Sequence, residues 1–325
     1  MKTFVSGGTG FIGSHLVDTL ISDNNVSEVR CLVRNREKWL KGKNYKLIKG
    51  DLHSISTLNK ALEDVHTVYH LAGVVMAPDM KDFIRGNVEA TENLLRVAMK
   101  CGVKKMIVLS SLAAAGPANG EPLTESDPMR PISRYGKSKK MMEEMIHNTA
   151  GNGLSVTILR PPAVYGPRED QIFTFFKLMN FGICPMAGDG KFPKISMVYV
   201  QDVIQGIKKA ALANNGDEIS TYFISGPDIY DWNTIRNVTS TVLNKKTIPI
   251  RISPTVIKKI SSIIETSASF FGKYPVFNKE KANEMTHEWT CSNSRAKSKI
   301  GYKPEYSLEE GISRTIRWYK KNHWL

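Results

Sequence analysis

Tyr135 and Lys139 stand four residues apart in the stretch RYGKSKK, residues 134–140. On a helix, positions i and i+4 share a face and i+2 points away. Lys139 is then the neighbour of Tyr135. Lys137 projects elsewhere, and Lys140 lies about 140° round the helix, so both read as part of a solvated face. A free tyrosine has a pKa of about 10, and a nearby ammonium lowers it by favouring the phenolate. A tyrosine tuned in this way can pass a proton to or from an alcohol or carbonyl oxygen. KKMIVLSSLAAAG, residues 104–116, reads as a strand ending in Ser110 and Ser111. Open α/β sheets place their ligands at that edge, where a hydroxyl can hold a substrate oxygen. Serine, tyrosine and lysine together suit hydride transfer: a cofactor gives the hydride, Tyr135 the proton, and a serine orients the oxygen.

SGGTGFIGSH, residues 6–15, supplies the complementary site. Gly7, Gly10 and Gly13 are three apart, directly after a strand and at the opening of a helix, with Thr9, Phe11 and Ile12 between them. Glycine is needed where backbone turns sharply or must approach a pyrophosphate. The free N–H groups at the helix start then bind the anion. The second strand ends in CLVRNREK, with Arg34 where an acidic residue would hydrogen-bond a ribose 2′-OH. A guanidinium there suits a 2′-phosphate, so the cofactor reading is NADP(H), with NAD(H) as the alternative. Asp51 and Leu52, after the third strand, are placed to cap the adenine. Leu71, Ala72 and Gly73 end the fourth strand near the cofactor.

The elements needed to hold these groups are legible along the chain. KTFVSG, EVRCLVR, YKLIKGD, TVYHLAG, KKMIVLSS and LSVTILRP are strand-like runs. Helical stretches lie between most of them: HLVDTLISD, ISTLNKALEDV, FIRGNVEATENLLRVAMKCG and SRYGKSKKMMEEMIHNTAG. Gly102 and Gly151 read as C-terminal helix caps. This alternation implies an α/β fold of Rossmann type, a doubly wound parallel sheet covered on both faces. Residues 1–160 form its dinucleotide-binding domain. After Arg160 the pattern changes: Pro161, Pro162, Gly166 and Pro167 break regular structure. Residues 161–325 read mainly as a smaller α/β substrate lobe, with 195–225 able to return to the main sheet. Within the lobe, 253–272 is an amphipathic helix candidate.

Composition narrows the class. The chain has 325 residues, 41% hydrophobic and 23% charged, ordinary for a soluble globular protein. No run approaches the roughly 18 apolar residues that span a bilayer, and the glycine motif begins where a secretory signal would need its apolar core. The expectation is a cytoplasmic protein without an integral membrane segment. The net charge is +14, but the lysines are spread along the chain and no nucleic-acid reader motif is present. The reading is a small-molecule substrate and no nucleic acid. Four scattered cysteines and seven histidines lack metal-clip spacing, so no metal is expected.

Taken in order, SGGTGFIGSH, YHLAG, VLSSLAAAG, YGKSK, LRPPAVYGP and GYKPEYSLEEGI resemble the landmarks of the extended short-chain dehydrogenase/reductases, the NAD-dependent epimerase/dehydratase superfamily. The likeness covers essentially the whole chain. It implies NAD(P) in a Rossmann domain, a Ser/Tyr/Lys active site and a C-terminal lobe closing over substrate. Counting back from Gly116 in that motif assigns the catalytic serine to Ser111, with Ser110 as runner-up. Asn87 matches an asparagine that the family uses to support the helix and proton path; a helix N-cap is the plain alternative. Pro161 and Pro162, with Val164 in the VYGP element, are implied on the nicotinamide side. Lys139 is implied to hold the nicotinamide ribose. The family often dimerises through helices equivalent to 79–101 and 134–150, which implies a homodimer.

Departures from the pattern bear on the branch. The family's sugar-nucleotide dehydratases carry Asp-Glu after the catalytic hydroxyl residue; this chain has Leu112 and Ala113. An asparagine before VYGP is replaced by Ala163, and an arginine ahead of the Val-x-Asp strand by Ile195, with Lys194 beside it. Those losses, with Arg34 and the apolar 253–272 helix, make the chain more similar to the dihydroflavonol reductase and hydroxysteroid dehydrogenase branch. The leading expectation is an NADP-dependent oxidoreductase acting on the carbonyl or alcohol of a fairly apolar small molecule, with Tyr135 as acid/base. A nucleotide-sugar epimerase with tightly bound NAD(P) is the alternative, and a non-enzymatic NADP-sensing regulator a further one.

Overall fold

The computed structural model describes residues 1–151, 153–213, 218–270, 274–275 and 277–325. Its first half alternates β1 (Lys2–Ser6), α1 (Phe11–Ile21), β2 (Glu28–Val33), β3 (Lys46–Lys49), α2 (Ile55–Leu62) and β4 (Thr67–His70). A broken helix follows: α3 (Met80–Phe83), a π-helical turn over Ile84–Glu89, then α4 (Ala90–Lys100). The chain continues through β5 (Lys105–Leu109), the short α5 (Leu112–Ala115), α6 (Arg134–Thr149) and β6 (Ser155–Arg160). Next come β7 (Ala163–Tyr165), α7 (Phe173–Asn180), β8 (Ile183–Ala187), β9 (Ile195–Tyr199), α8 (Val200–Leu212) and β10 (Ile219–Phe223). The remainder is β11 (Ile229–Tyr230), α9 (Trp232–Leu243), β12 (Ile248–Ile252), α10 (Pro254–Phe270), α11 (Lys279–Glu284), α12 (Ser294–Ile300) and α13 (Leu308–Lys321).

Seven strands form one parallel sheet in the order β10-β6-β5-β4-β1-β2-β3. Its central strands read as continuous apolar runs because both faces are covered. One face packs Phe4, Val68, Met106, Val108, Val156 and Ile158 against α2, α4 and α6. The other packs Val5, Cys31, Ile107 and Leu159 against α1, α8 and α12. The doubly wound Rossmann-type fold is thus present. Within 195–225, β10 joins the sheet edge beside β6, while β9 pairs with β7 and β11 instead. A third core, with Tyr165, Phe176, Met186, Tyr199, Ile312 and Tyr319 at its centre, binds α7, α9 and α13 to that smaller sheet.

Gly102 takes a positive φ after α4, as a cap should. Gly151 does not: α6 ends on Ala150 in an extended conformation, and Gly153 makes the left-handed turn. The 253–272 helix is realised as α10; Phe271 and Gly272 lie outside the described residues. No helix among the described residues is long and apolar enough to cross a membrane.

Candidate active site

The strand-end groups singled out from the sequence lie in loops at one edge of the main sheet. Gly7 follows β1, Arg34 follows β2, Asp51 comes just after β3, Leu71 follows β4, Ser110 and Ser111 follow β5, and Pro161 follows β6. These strands are parallel, so all six loops leave their C-terminal ends, where such sheets bind ligands.

The loop after β1 has the shape a pyrophosphate needs. Gly7 has φ +77°, and a Cβ there would lie 2.5 Å from Ala72 N. A Cβ on Gly13 would lie 2.1 Å from the Gly7 carbonyl oxygen. The turn is closed by Gly10 N donating to Gly7 O at 3.0 Å. α1 starts at Phe11 with Gly10 as N-cap and no side chain capping it. The first amide groups of the helix, including those of Phe11 and Ile12, are thus left for an external acceptor. This cradle fits a dinucleotide. Asp51 is exposed and accepts from His53 N at 2.8 Å, whereas the Leu52 side chain is buried with Leu32 and Leu58. Arg34 and Arg36 are exposed in the loop after β2.

The chemistry is set by α5 and α6. Leu112 N donates to Pro161 O at 2.9 Å, which fixes the chain just after Ser111 against the end of β6. Ser111 caps α5, its oxygen accepting from Ala113 N at 3.1 Å. α6 begins at its own cap, Ser133, which accepts from Gly136 N at 3.2 Å. α5 and α6 touch at Gly136, where a Cβ would lie 2.3 Å from Ala113 O. That contact sets the Tyr135 side chain beside Ser111, whose hydroxyl favours the charged phenolate. Ser110 is turned the other way: it is buried and donates to Glu143 Oε1. The two serines are therefore separated by geometry, Ser111 facing Tyr135 and Ser110 facing the core.

Lys139 is buried, and its Nζ donates to Leu109 O at 2.9 Å. Asn87 lies within the π-helical turn, so it is not a helix N-cap. Its Oδ1 accepts from Val74 N at 2.7 Å, and its Nδ2 donates to Val74 O and to Ser138 Oγ, both at 2.9 Å. Ser138 Oγ in turn donates to the Tyr135 carbonyl at 2.7 Å. Lys139 and Asn87 converge beside Gly73: a Cβ on that glycine would lie 3.3 Å from Lys139 Nζ and 3.2 Å from Asn87 Oδ1. Pro161 and Pro162 are buried, and Val164 is half-buried in β7. Lys137 is exposed, and Lys140 bonds Met129 O at 3.2 Å, consistent with a solvated face.

One expectation is corrected. The ammonium of Lys139 does not bring Tyr135 below its ordinary value. Burial pushes the phenol up to about 12, opposed by the Ser111 hydrogen bond, with the Glu284 carboxylate adding to the rise. Burial pulls Lys139 down to about 8, with Glu143 opposing. Desolvation penalises both charged forms.

The sequence reading also passed over Glu143. It is fully buried and bridges Ser110 to Arg160, whose Nε lies 3.1 and 3.0 Å from its two oxygens and whose Nη2 lies 2.5 Å from Oε2. Its signal was present: Tyr135, Lys139 and Glu143 follow one another at i, i+4 and i+8 on one helix face.

Comparison with known proteins agrees with this geometry. Residues 3–224 match the model of the NAD dependent epimerase/dehydratase family. A ceramide reductase of Caulobacter vibrioides is 26% identical over 99% of this chain and 95% of its own. The N-acetyl-alpha-D-glucosaminyl-diphospho-ditrans,octacis-undecaprenol 4-epimerase of Escherichia coli O157:H7 is 28% identical over 96% of this chain and 93% of its own. The solved structure of MoeE5 in complex with UDP-glucuronic acid and NAD superposes with a TM-score of 0.79 at 24% identity, covering 99% of this chain and 100% of that one. Neither curated relative is a dihydroflavonol reductase or hydroxysteroid dehydrogenase. The NADP(H) preference inferred from Arg34 gains no support either: the family and MoeE5 are named for NAD, and the exposed Arg34 is not fixed in an ion pair among the described residues. A family match over most of the chain, on a doubly wound sheet with its glycine cradle and serine–tyrosine pair at one edge, establishes that this protein belongs to the NAD dependent epimerase/dehydratase family.

Proposed function

We propose that the protein is an NAD(H)-using epimerase that oxidises and re-reduces one secondary alcohol carbon of a sugar carried on a diphosphate. The observation that carries this is the placement of Tyr135 beside Ser111, with the buried Lys139 one turn along the same helix, at the ligand-binding edge of the sheet. NAD, when bound, supplies the acceptor and donor of hydride. Tyr135 takes the proton of the substrate hydroxyl on oxidation and returns it on reduction. Ser111 orients the oxygen, and Lys139 stabilises the phenolate while it exists. Asn87, through Ser138, holds the first turn of α6, so that Tyr135 stays aimed at the edge. Gly7, Thr9, Gly10, Phe11, Ile12, Gly13, Asp51 and Leu71–Gly73 form the cofactor wall, with Pro161, Pro162 and Val164 on the nicotinamide side. The elements after residue 160 form the substrate lobe, and α4 and α6 the dimer face. Elimination of water is not part of the proposal, because Leu112 and Ala113 offer no carboxylate after Ser111.

A second reading, net reduction of a ketone on an apolar molecule, is favoured by two observations. Tyr135 is held protonated by burial, ready to donate, and Ala163 and Ile195 stand where polar sugar-nucleotide contacts are expected. The two readings separate in one experiment. The purified protein is incubated with UDP-hexoses and polyprenyl-diphosphate sugars, following epimer formation and cofactor absorbance together. Epimer formation without net cofactor consumption supports the first reading. Stoichiometric loss of reduced cofactor on adding ketones replaces it with the second. In either case Tyr135→Phe should lower turnover on the order of 10²- to 10⁴-fold with cofactor binding retained; unchanged turnover removes Tyr135 from the chemistry.

A further inference from the structure

Between Asn244 and Ile264 the chain carries five cations, Lys245, Lys246, Arg251, Lys258 and Lys259, and no acidic residue. The same stretch displays exposed aliphatic side chains: Ile248 at 71%, Ile263 at 67%, and Ile250, Val256, Ile260 and Ile264 less fully. In the pairing of β12 with β8, Ile248 lies opposite Ile183 and Ile250 opposite Pro185. Side chains alternate along a strand, so Ile183, Ile248 and Ile250 project from one face. Cys184 and Met186 project from the other, buried in the core. The far end of the open face is covered, since Ile252 and Ala187 pack with Ile257 of α10 and Ala282 of α11. The near end faces solvent, as does Phe181 just before β8.

α10, packed on the covered end of that face, carries an exposed stripe of its own. At about 100° per residue, Ile263, Val256, Ile260, Ile264 and Ile257 share an arc of roughly 120°. Only Ile257, at one edge of the arc, is buried. A helix of a globular protein ordinarily turns its apolar stripe to the core. α10 turns most of its stripe outward, with Lys259 bordering it.

We propose that this face, formed by β8, β12 and α10, docks the protein on the surface of an anionic lipid bilayer. An aliphatic stripe bordered by Lys259, with Lys258 on the polar side of the same helix, suits a helix lying in the headgroup plane. Lysine stems can bury against the apolar boundary while their ammonium groups reach the phosphates. Exposed aliphatic stripes of this kind mark interaction sites. A second copy of the chain fits poorly, because a two-fold contact sets the same patch against itself and would oppose the lysines of α10 with their own copies. The face is also joined to the catalytic helix. α11 packs on α10, and its Glu280 accepts from both the backbone N and Nε of Arg134, at 3.1 and 2.9 Å. Docking therefore holds Tyr135 one element away from the bilayer. The proposal does not depend on which reaction Tyr135 performs.

The test is co-sedimentation with vesicles of equimolar phosphatidylglycerol and phosphatidylcholine, and with vesicles of phosphatidylcholine alone. The wild type should pellet with the mixed vesicles only, and less at high salt. Lys258→Gln/Lys259→Gln should weaken binding by roughly fivefold per charge removed. Ile260→Glu/Ile263→Glu should abolish it, with the thermal midpoint and cofactor binding unchanged, because both side chains are exposed. Failure of the wild type to pellet overturns the proposal, as does equal pelleting with both vesicle types or undiminished pelleting of the isoleucine variant. A vesicle-free dimer seen by ultracentrifugation and lost in the isoleucine variant would assign the face to a second copy instead.

Discussion

Glu143 offers the sharpest test of the packing behind the site. Its carboxylate is fully buried, takes the Ser110 hydroxyl on one oxygen and engages Arg160 through both. Arg160 is 5% exposed, and its Nη1 has no hydrogen-bond partner among the described residues. The guanidinium thus depends for its charge on one carboxylate, aided by the Met129 sulfur 3.0 Å from Nη2 and the Phe223 ring 5.5 Å away. Glu143→Leu keeps side-chain bulk but leaves a buried cation unpaired. Breaking a buried pair from one side costs about 3–5 kcal/mol, and the orphaned Ser110 hydroxyl adds about 1 kcal/mol. The loss should appear in urea unfolding as a lower midpoint at unchanged slope. Removing both partners, in Glu143→Leu/Arg160→Leu, should recover most of it, since an apolar replacement of a whole buried pair is often near neutral. A loss below about 1 kcal/mol for the single variant would refute the reasoning, and so would a double variant no more stable than the single.

Three further outcomes are expected. Burial holds Lys139 at about 8 against an ordinary 10.5, so between those values the unfolded chain binds more protons at this lysine and its own contribution to the stability of the cofactor-free protein rises with pH, a span worth about 3 kcal/mol, while the buried thiols of Cys31, Cys184 and Cys291, held above their ordinary 9, act in the opposite sense. Lys139→Met should flatten that rise in urea titrations run at the two ends of the window, and an unaltered slope would show that the ammonium is not desolvated. Gly13→Ala, whose Cβ would meet Gly7 O at 2.1 Å, should lower cofactor affinity at least tenfold by calorimetry, while Gly151→Ala, with nothing within 4 Å, should not; equal affinities would mean the loop tolerates a Cβ. Arg34→Ala should leave NAD(H) affinity unchanged, and a selective loss of NADP(H) affinity beyond tenfold would restore the phosphate-binding reading of that arginine.

How much of this was readable beforehand can be argued residue by residue. The glycine loop was legible because its function is a backbone shape, and only glycine permits it. The sheet was legible because strands covered on both faces must be continuously apolar. The Tyr135–Lys139 pair was legible because helix periodicity is local. Three things were not. The ionisation of Tyr135 and Lys139 depends on how much water the fold removes, which spacing cannot express. Glu143 lay on the same helix face, yet its partner Arg160 comes from a strand and its role from their burial together. The outward turn of the α10 stripe was hidden too, because an amphipathic pattern states that a helix has an apolar face and not where that face points.

By itself, the sequence determined the family, the parallel sheet and the short-range geometry of loop and helix, all of which follow from backbone conformation and periodicity within a few residues. Only the tertiary structure decided which serine meets Tyr135. Ser110 and Ser111 are adjacent on an extended chain, where consecutive side chains point to opposite sides. The contact of α5 with α6 at Gly136 sets Ser111 toward the tyrosine, and the buried Glu143–Arg160 pair draws Ser110 into the core.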